Sequence, residues 1–320
     1  MRGVAGLQRQ DRSKAPAPTV RPPAVAGLFY PAEPVQCRRV ARQLVYGDSA
    51  GPVADPAGAA SSPPRRPLVG AVVPHAGWVA SGAIAGESLR TLGASAAAAP
   101  QVVVVFGAVH TPIELTVAAL DSHGRWAVPG AESPVARELV DRLVGVSDLF
   151  AVDDRLHARE HAVEVELPLI QAVWPEASVL PVEVPLTDDA EAIGRRTAEQ
   201  VKASGASAVF LASSDLTHYG PAYGFAPAGV GPQGLAWAKD NDRRLLDLVE
   251  RFAVDRIVPE VRSRANACGG GAIAAMLSAC REVGATTADV LRHRNSYETL
   301  AGVAPQRPVD AVGYAAVVVG

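Results

Sequence analysis

The sequence predicts a doubly wound, three-layer αβα fold around a mostly parallel or mixed sheet. Three observations carry that expectation. Apolar runs at residues 68–73, 102–106 and 208–212 have the character of strands buried on both faces. Segments of helical periodicity alternate with them. Each run also ends in a turn rich in His, Ser or Asp, and open α/β sheets bind ligands beyond the carboxyl ends of their strands.

Taken in order, residues 1–20 are polar and rich in Arg, Ala and Pro. They have linker composition, are expected to be disordered, and lack the apolar stretch of a secretory signal. Residues 21–320 are expected to form a single α/β domain. Residues 21–31 (RPPAVAGLFYP) are apolar but broken by Pro and Gly, and read as an irregular segment lying against the domain. A helix follows at 34–46, and residues 47–67 have the Pro, Gly, Ser and Ala content of a flexible loop. The first strand, 68–75, stops at Pro74 and His75 because proline cannot continue a central ladder. A helix over 83–92 follows it. The second strand, 102–106, leads through Gly107-Ala108-Val109 to His110. A further strand is read at 115–120 and a helix at 135–144. The second half of 153–174 is helical and ends before Pro175. A strand at 178–184, a helix at 188–204 and a strand at 208–212 lead to Ser213-Ser214-Asp215-Leu216-Thr217-His218. Then come a loop at 221–234, helices at 236–251, 254–262 and 266–283, and closing strands at 289–293 and 311–319.

With 320 residues, 48% of them hydrophobic, the chain can bury a sizeable core. A formal net charge of −3 gives no reason to expect a nucleic acid or an anionic membrane as partner. No apolar run approaches the roughly 18 residues of a membrane span. The three cysteines, Cys37, Cys268 and Cys280, are too few and too scattered for a disulfide framework, which suits a reducing, cytoplasmic setting.

Candidate chemistry gathers at the strand ends. His75 and His110 follow two buried strands, and Asp215 and His218 follow a third. Cys268 stands at an expected helix N-terminus, where the helix dipole favours thiolate. Two imidazoles and one anion are a common donor set for a first-row metal. Asp215 and His218 then read as supporting residues or an acid/base pair. Two other motifs compete. His157-Ala158-Arg159-Glu160-His161 matches H-x-x-E-H, in which two histidines on one helix face hold Zn²⁺ beside a glutamate base. The glycines 269–271 could cradle a phosphate, although neither a Walker lysine nor G-x-G-x-x-G accompanies them.

Together these residues resemble the MEMO family, also called AmmeMemoRadiSam system protein B. The matching pieces are residues 21–31, 73–82 (VPHAGWVASG), 106–110 (FGAVH), 160–169 (EHAVEVELPL), 213–220 (SSDLTHYG), Cys268-Gly269-Gly270, Asn295-Ser296 and Val312-Gly313-Tyr314. The resemblance implies a fold shared with the LigB-type, class III extradiol dioxygenases, which hold Fe(II) with two His and one Glu. By motif, His75 and His110 match the two histidine ligands and Cys268 the third position. Asp215, His218 and His161 match polar residues of the same cleft. The second motif departs from the frequent G-P-S-H, Trp78 replaces a frequent Tyr, and a thiolate stands where the dioxygenases have a carboxylate.

The resemblance therefore implies a metal-binding protein. One expectation is a dioxygenase using Fe(II), with Cu or Zn as alternatives, on a small aromatic or redox-active substrate, with His218 or His161 as base. The other is a non-catalytic module that binds an anionic or phosphorylated peptide, handles metal, or works beside AMMECR1-like and radical-SAM proteins.

Overall fold

The computed structural model describes residues 19–47, 67–95, 98–303 and 308–320. Strand β1 (Val20–Arg21) precedes helix α1 (Pro34–Tyr46). Next come β2 (Gly70–Val73), α2 (Trp78–Ser95), β3 (Val102–Gly107) and β4 (Ala118–Leu120). The hairpin β5 (Arg125–Val128) and β6 (Ala131–Pro134) leads to α3 (Arg137–Val146), β7 (Phe150–Val152) and α4 (Asp154–His157). Helix α5 (Leu167–Val173), β8 (Ser178–Glu183), α6 (Ala190–Ser204), β9 (Ala208–Ser213) and β10 (His218–Tyr219) follow. The chain closes with α7 (Pro232–Glu250), α8 (Val254–Arg264), α9 (Gly270–Glu282), β11 (Ala288–Asn295), α10 (Ser296–Thr299) and β12 (Ala311–Val319).

The main sheet runs β10-β12-β2-β9-β3-β8-β4-β7, with β11 paired to β12. Its centre, β2-β9-β3-β8, is parallel, while β12 and β4 join it antiparallel. The expected mixed sheet thus forms, flanked by helices. Helix α2 packs on β2 and β12 and carries α1 and α5, while α9 packs on β9, β2 and β3 and carries α6 and α8. The register positions the site. Val73 pairs with Ser213, and Gly107 pairs with both Ser213 and Glu183, so these strands stop level with one another. Whatever follows β2, β3 and β9 therefore emerges at one edge.

The long valine-rich strands form where their apolar runs place them, with Val103–Val105 fully buried. Short elements escaped the pattern. The strand expected at 115–120 shortens to Ala118–Leu120, and α2 starts at Trp78, five residues earlier than its composition suggests. The β5–β6 hairpin has strands of four residues, turned by Gly130 at φ +78°. With β1 it makes a separate three-stranded sheet, so Val20, expected to be disordered, pairs with Arg125. Residues 1–18 and 48–66, which hold the rest of the expected disordered terminus and most of the expected loop, lie outside the described residues.

One buried ion pair attaches the 21–31 segment to the fold. The Arg21 guanidinium is fully buried over the Trp126 ring and lies 2.6 Å from Glu164. It also donates to the carbonyls of His157 and Glu160. Glu164 in turn accepts from the Ala24 and Val25 amides and the Tyr30 hydroxyl. Removing one partner strands the other charge in the interior. Arg21→Met is therefore expected to cost about 3–5 kcal/mol, read from urea unfolding.

Two further acids have no ion-pair partner among the described residues. Glu166 and Glu183 are fully buried, neither makes a hydrogen bond of ordinary geometry, and only the Val163 backbone approaches Glu183 as a weak donor. Burial drives both well above the ordinary carboxyl range, with the charge of Asp215 adding to Glu166 and that of Glu160 to Glu183. Each keeps its proton in the folded chain and loses it in the unfolded chain above about pH 4.3. The native state thus loses stability as pH rises through that value. The stability of Glu183→Leu relative to wild type should rise with pH from about 4.3 upward by up to about 1.4 kcal/mol per unit, and be flat below. Denaturant midpoints across pH 4–8 check this.

Candidate metal centre

The level strand ends bring His75, His110 and Cys268 together, with donor atoms all within 4.8 Å of one another. His75 follows β2, His110 follows β3, and Cys268 lies two residues before α9. The His75 and His110 rings meet edge-on with centroids 4.9 Å apart. His75 Nε2 stands 3.3 Å from Cys268 Sγ.

Hydrogen bonding fixes which nitrogen each imidazole presents. Ser213 Oγ donates to the Ala162 carbonyl at 2.6 Å, which uses its only proton. It can therefore only accept from His75 Nδ1, 2.8 Å away, and the His75 lone pair sits on Nε2, facing the sulfur. His110 Nδ1 donates to Glu160 at 3.0 Å, leaving its Nε2 free as well. Both rings are thus held in the form a cation binds. Burial pushes the His75 imidazole down to about 3, against the pull of Asp215, so it stays neutral.

Glu160 is the hub. It is fully buried and accepts from the amides of His110 (2.6 Å), Thr111 (2.9 Å), His161 (2.8 Å) and Ala162 (3.3 Å), besides the His110 ring. Burial alone would raise its carboxyl, but the hydrogen bonds from His110 and His161 outweigh it and hold the group below the ordinary range. With its oxygens so committed, Glu160 orients histidines and is not the peptidase base of the H-x-x-E-H pattern. That pattern also fails geometrically. Helix α4 ends at His157, whose ring is buried against Trp126, whereas His161 stacks at 4.7 Å on Phe29 and at 4.5 Å on His110. The two histidines share no donor cluster among the described residues.

Cys268 departs from expectation in its protonation. Helix α9 starts at Gly270, and burial followed by the Asp215 charge pushes the thiol up rather than down. The Asp215 amide, 3.3 Å from Sγ, only partly offsets this. A cation bound here would have to displace that proton. The glycines after it serve close packing: a Cβ at Gly271 would lie 2.2 Å from the Pro185 carbonyl oxygen, and the Gly269 amide is taken by Ser214 Oγ at 3.0 Å.

Asp215 and His218 adjoin the cluster. Asp215 Oδ1 accepts from the amides of His75 (3.0 Å) and Ala76 (3.3 Å), fixing the end of β2. Its Oδ2 lies 3.8 Å from His218 Nε2, too far for a hydrogen bond, and that nitrogen has no partner. His161 lies against both histidines of the cluster, with ring centroids 5.4 Å from His75 and 4.5 Å from His110. A groove of about 1130 Å³, lined by Leu28, Phe29, Trp78, Val79 and Arg292 among others, includes none of the three donors and meets the cluster through Phe29, in ring contact with His161.

Two residues that sequence reasoning passed over join the loops. Asn241 and Asp242 sit side by side on α7, in a helix whose pattern reads only as amphipathic. Asp242 accepts from the Thr217 amide and from His293 Nε2, each at 2.8 Å. Asn241 donates to Thr217 Oγ1 and to the Arg264 carbonyl, and its own carbonyl accepts from Asn266. One helix turn thereby ties the Asp215–His218 loop to the Cys268 loop. Gly313 lets β12 approach, since a Cβ there would lie 2.1 Å from the Asp242 carboxylate. Their buried polarity on an apolar helix face was the only available signal.

The fold and this cluster define a member of an α/β class with potential metal-donor side chains at its strand ends. The family model described as Memo-like protein matches residues 21–318, and the chain belongs to that family. A MEMO1 family protein of Methanosarcina barkeri is 32% identical over 304 residues, covering 94% of this chain and 100% of the relative. One from Thermococcus onnurineus is 30% identical over 311 residues, covering 93% and 99%. A solved structure of an uncharacterized protein from Escherichia coli K12 covers 79% of this chain and 100% of itself, at 12% identity and a TM-score of 0.45. No helix among the described residues is long and apolar enough to cross a membrane.

Replacing Glu160 by Gln turns an acceptor-only group into one that must point N–H at an N–H. Loss of such an orienting partner typically costs 10–100-fold in metal affinity. Glu160→Gln is expected to weaken anaerobic Fe(II) or Co(II) binding by about that factor, measured by competition with a chelator.

Proposed function

We propose that the chain is a metal-dependent protein that holds one Fe(II) through His75 Nε2, His110 Nε2 and Cys268 Sγ, and acts as an oxidoreductase on a small aromatic or redox-active substrate. One observation carries this reading. Two imidazoles are locked with their lone pairs free, and a sulfur lies within the same 4.8 Å cluster. That donor set suits a first-row cation, and its thiolate is softer and more donating than a carboxylate. An Fe(II) held by these three residues would supply redox and Lewis-acid chemistry toward O₂ and a hydroxyl-bearing substrate.

The remaining residues have separate tasks. Ser213 and Glu160 hold the ligand histidines. His161 borders both of them, and His218 presents an unpartnered Nε2. Either imidazole can accept a proton from a substrate hydroxyl. Asp215 fixes the backbone beneath His75 and supplies negative charge near His218. Phe29 and Tyr223, in ring contact with His161 and His218, offer aromatic surface to a planar substrate.

The test is anaerobic loading with Fe(II), then O₂ uptake with a panel of catechols. Wild type is expected to bind one iron and consume O₂ with substrate. His75→Ala should lose the iron, and His218→Gln should retain it while slowing turnover by about 10²–10⁴-fold. Absence of iron binding, or binding unchanged in His75→Ala, contradicts the reading. Tight phosphotyrosine-peptide binding without O₂ uptake would favour a binding module.

A further inference from the structure

We propose that Asp242 is a positioning residue for His218, acting through the Thr217 backbone. Its hydrogen bonds go to neither the His218 ring nor any of the three donors of the centre. For turnover this role rests on the proposed task of His218 as proton acceptor; for the placement of the ring it does not.

The His218 ring lacks a firm anchor of its own. Its Nε2 is buried without a hydrogen-bond partner, the Asp215 carboxylate stands 3.8 Å away, and the Tyr223 ring is its aromatic neighbour at 5.0 Å. Such a side chain takes its place from its backbone and from packing. That backbone is fixed one residue earlier. The Thr217 amide donates to Asp242 Oδ1 at 2.8 Å, and its hydroxyl accepts from Asn241 Nδ2 at 3.1 Å. The Thr217 carbonyl accepts from the Gly313 amide at 3.0 Å. His218 and Tyr219 then pair with Val312 and Ala311 of β12. Every polar atom of Thr217 is thus committed, two of the three to one turn of α7.

The carboxylate is built into this crossing. Asp242 is 1% exposed, and its Oδ2 accepts from His293 Nε2 of β11 at 2.8 Å. With both oxygens occupied, the group is held facing Thr217. Gly313 supplies the space, since a Cβ there would lie 2.1 Å from Asp242 Oδ2. Strand β12 therefore gives up a side chain so that a carboxylate can stand where α7 meets β10, β11 and β12. A residue that only filled this space could be apolar, which would avoid the cost of burying a charge. A carboxylate is suited to holding a backbone N–H at a fixed point, because a charged acceptor makes the shorter and stronger bond.

The first test reads the ring directly, by NMR of the metal-free full chain carrying ¹³C-labelled histidine. Asp242→Asn, whose amide oxygen still accepts from Thr217, should keep the wild-type His218 Cε1 shift and its NOE to the Tyr223 ring. Asp242→Ala should move that signal and lose the NOE in a chain that remains folded by urea unfolding. If Asp242→Ala does not fold, Gly313→Ala, which drives a methyl into the carboxylate, takes its place with the same expectation. An unmoved signal and NOE in the folded variant overturn the proposal. The second test uses the iron-loaded chain and catechol. Asp242→Ala should lower kcat about 10–100-fold, with KM and iron affinity within about twofold of wild type, and Asp242→Asn should recover most of kcat. Lower stability with an unchanged kcat would make Asp242 a packing residue and overturn the proposal. If the wild-type chain takes up no O₂, the proposed function fails by itself, and the His218 signal still decides the role of Asp242.

Discussion

The buried carboxylate of Glu160 is the constraint on which the rest of the centre depends. It belongs to no regular helix or strand, yet it collects backbone amides from the loop after β3 and from its own segment. A buried charge is tolerated only when its lone pairs are filled. The cost of leaving them empty therefore forces His110, Thr111, His161 and Ala162 into one arrangement. That arrangement turns the His110 ring so that its free nitrogen faces the cluster. Arg21 reinforces it from outside, bonding the Glu160 carbonyl while neutralising Glu164.

A chain of single-proton decisions carries this order to the candidate donor atoms. Ser213 has one hydroxyl proton and gives it to Ala162, a residue whose amide in turn points at Glu160. His75 must then donate through Nδ1. Asp215 pins the backbone on which His75 stands, and the Asp215 amide faces the Cys268 sulfur. The donor set is thus assembled by the fold itself, so a cation binding there would not have to meet the cost of ordering it.

Much of this was legible in the sequence. The αβα class, the long central strands and the positions of His75 and His110 all follow from apolar runs that stop at a histidine, because buried parallel strands leave an unmistakable continuous pattern. The β5–β6 hairpin, β7 and α4 were not legible, since elements of three or four residues carry too little periodicity. Cys268 was read at a helix N-terminus and so as a dipole-favoured thiolate; it stands two residues before α9, and the burial and the Asp215 charge that push its thiol up arise only in three dimensions. Glu160 was visible as part of a motif whose usual chemistry it does not perform. Asn241 and Asp242 were legible only as a polar pair on the apolar face of α7; their partners Thr217, Arg264, Asn266 and His293 come from distant segments that only the fold brings to them.

X-ray absorption at the iron edge, on chain purified and loaded without air, tests the central claim most directly. The account predicts one iron per chain, with one sulfur at about 2.3 Å and two imidazole nitrogens at about 2.0–2.1 Å, and loss of the sulfur shell in Cys268→Ser. An iron with no sulfur neighbour in the wild-type chain, or a sulfur shell that persists in Cys268→Ser, would contradict it.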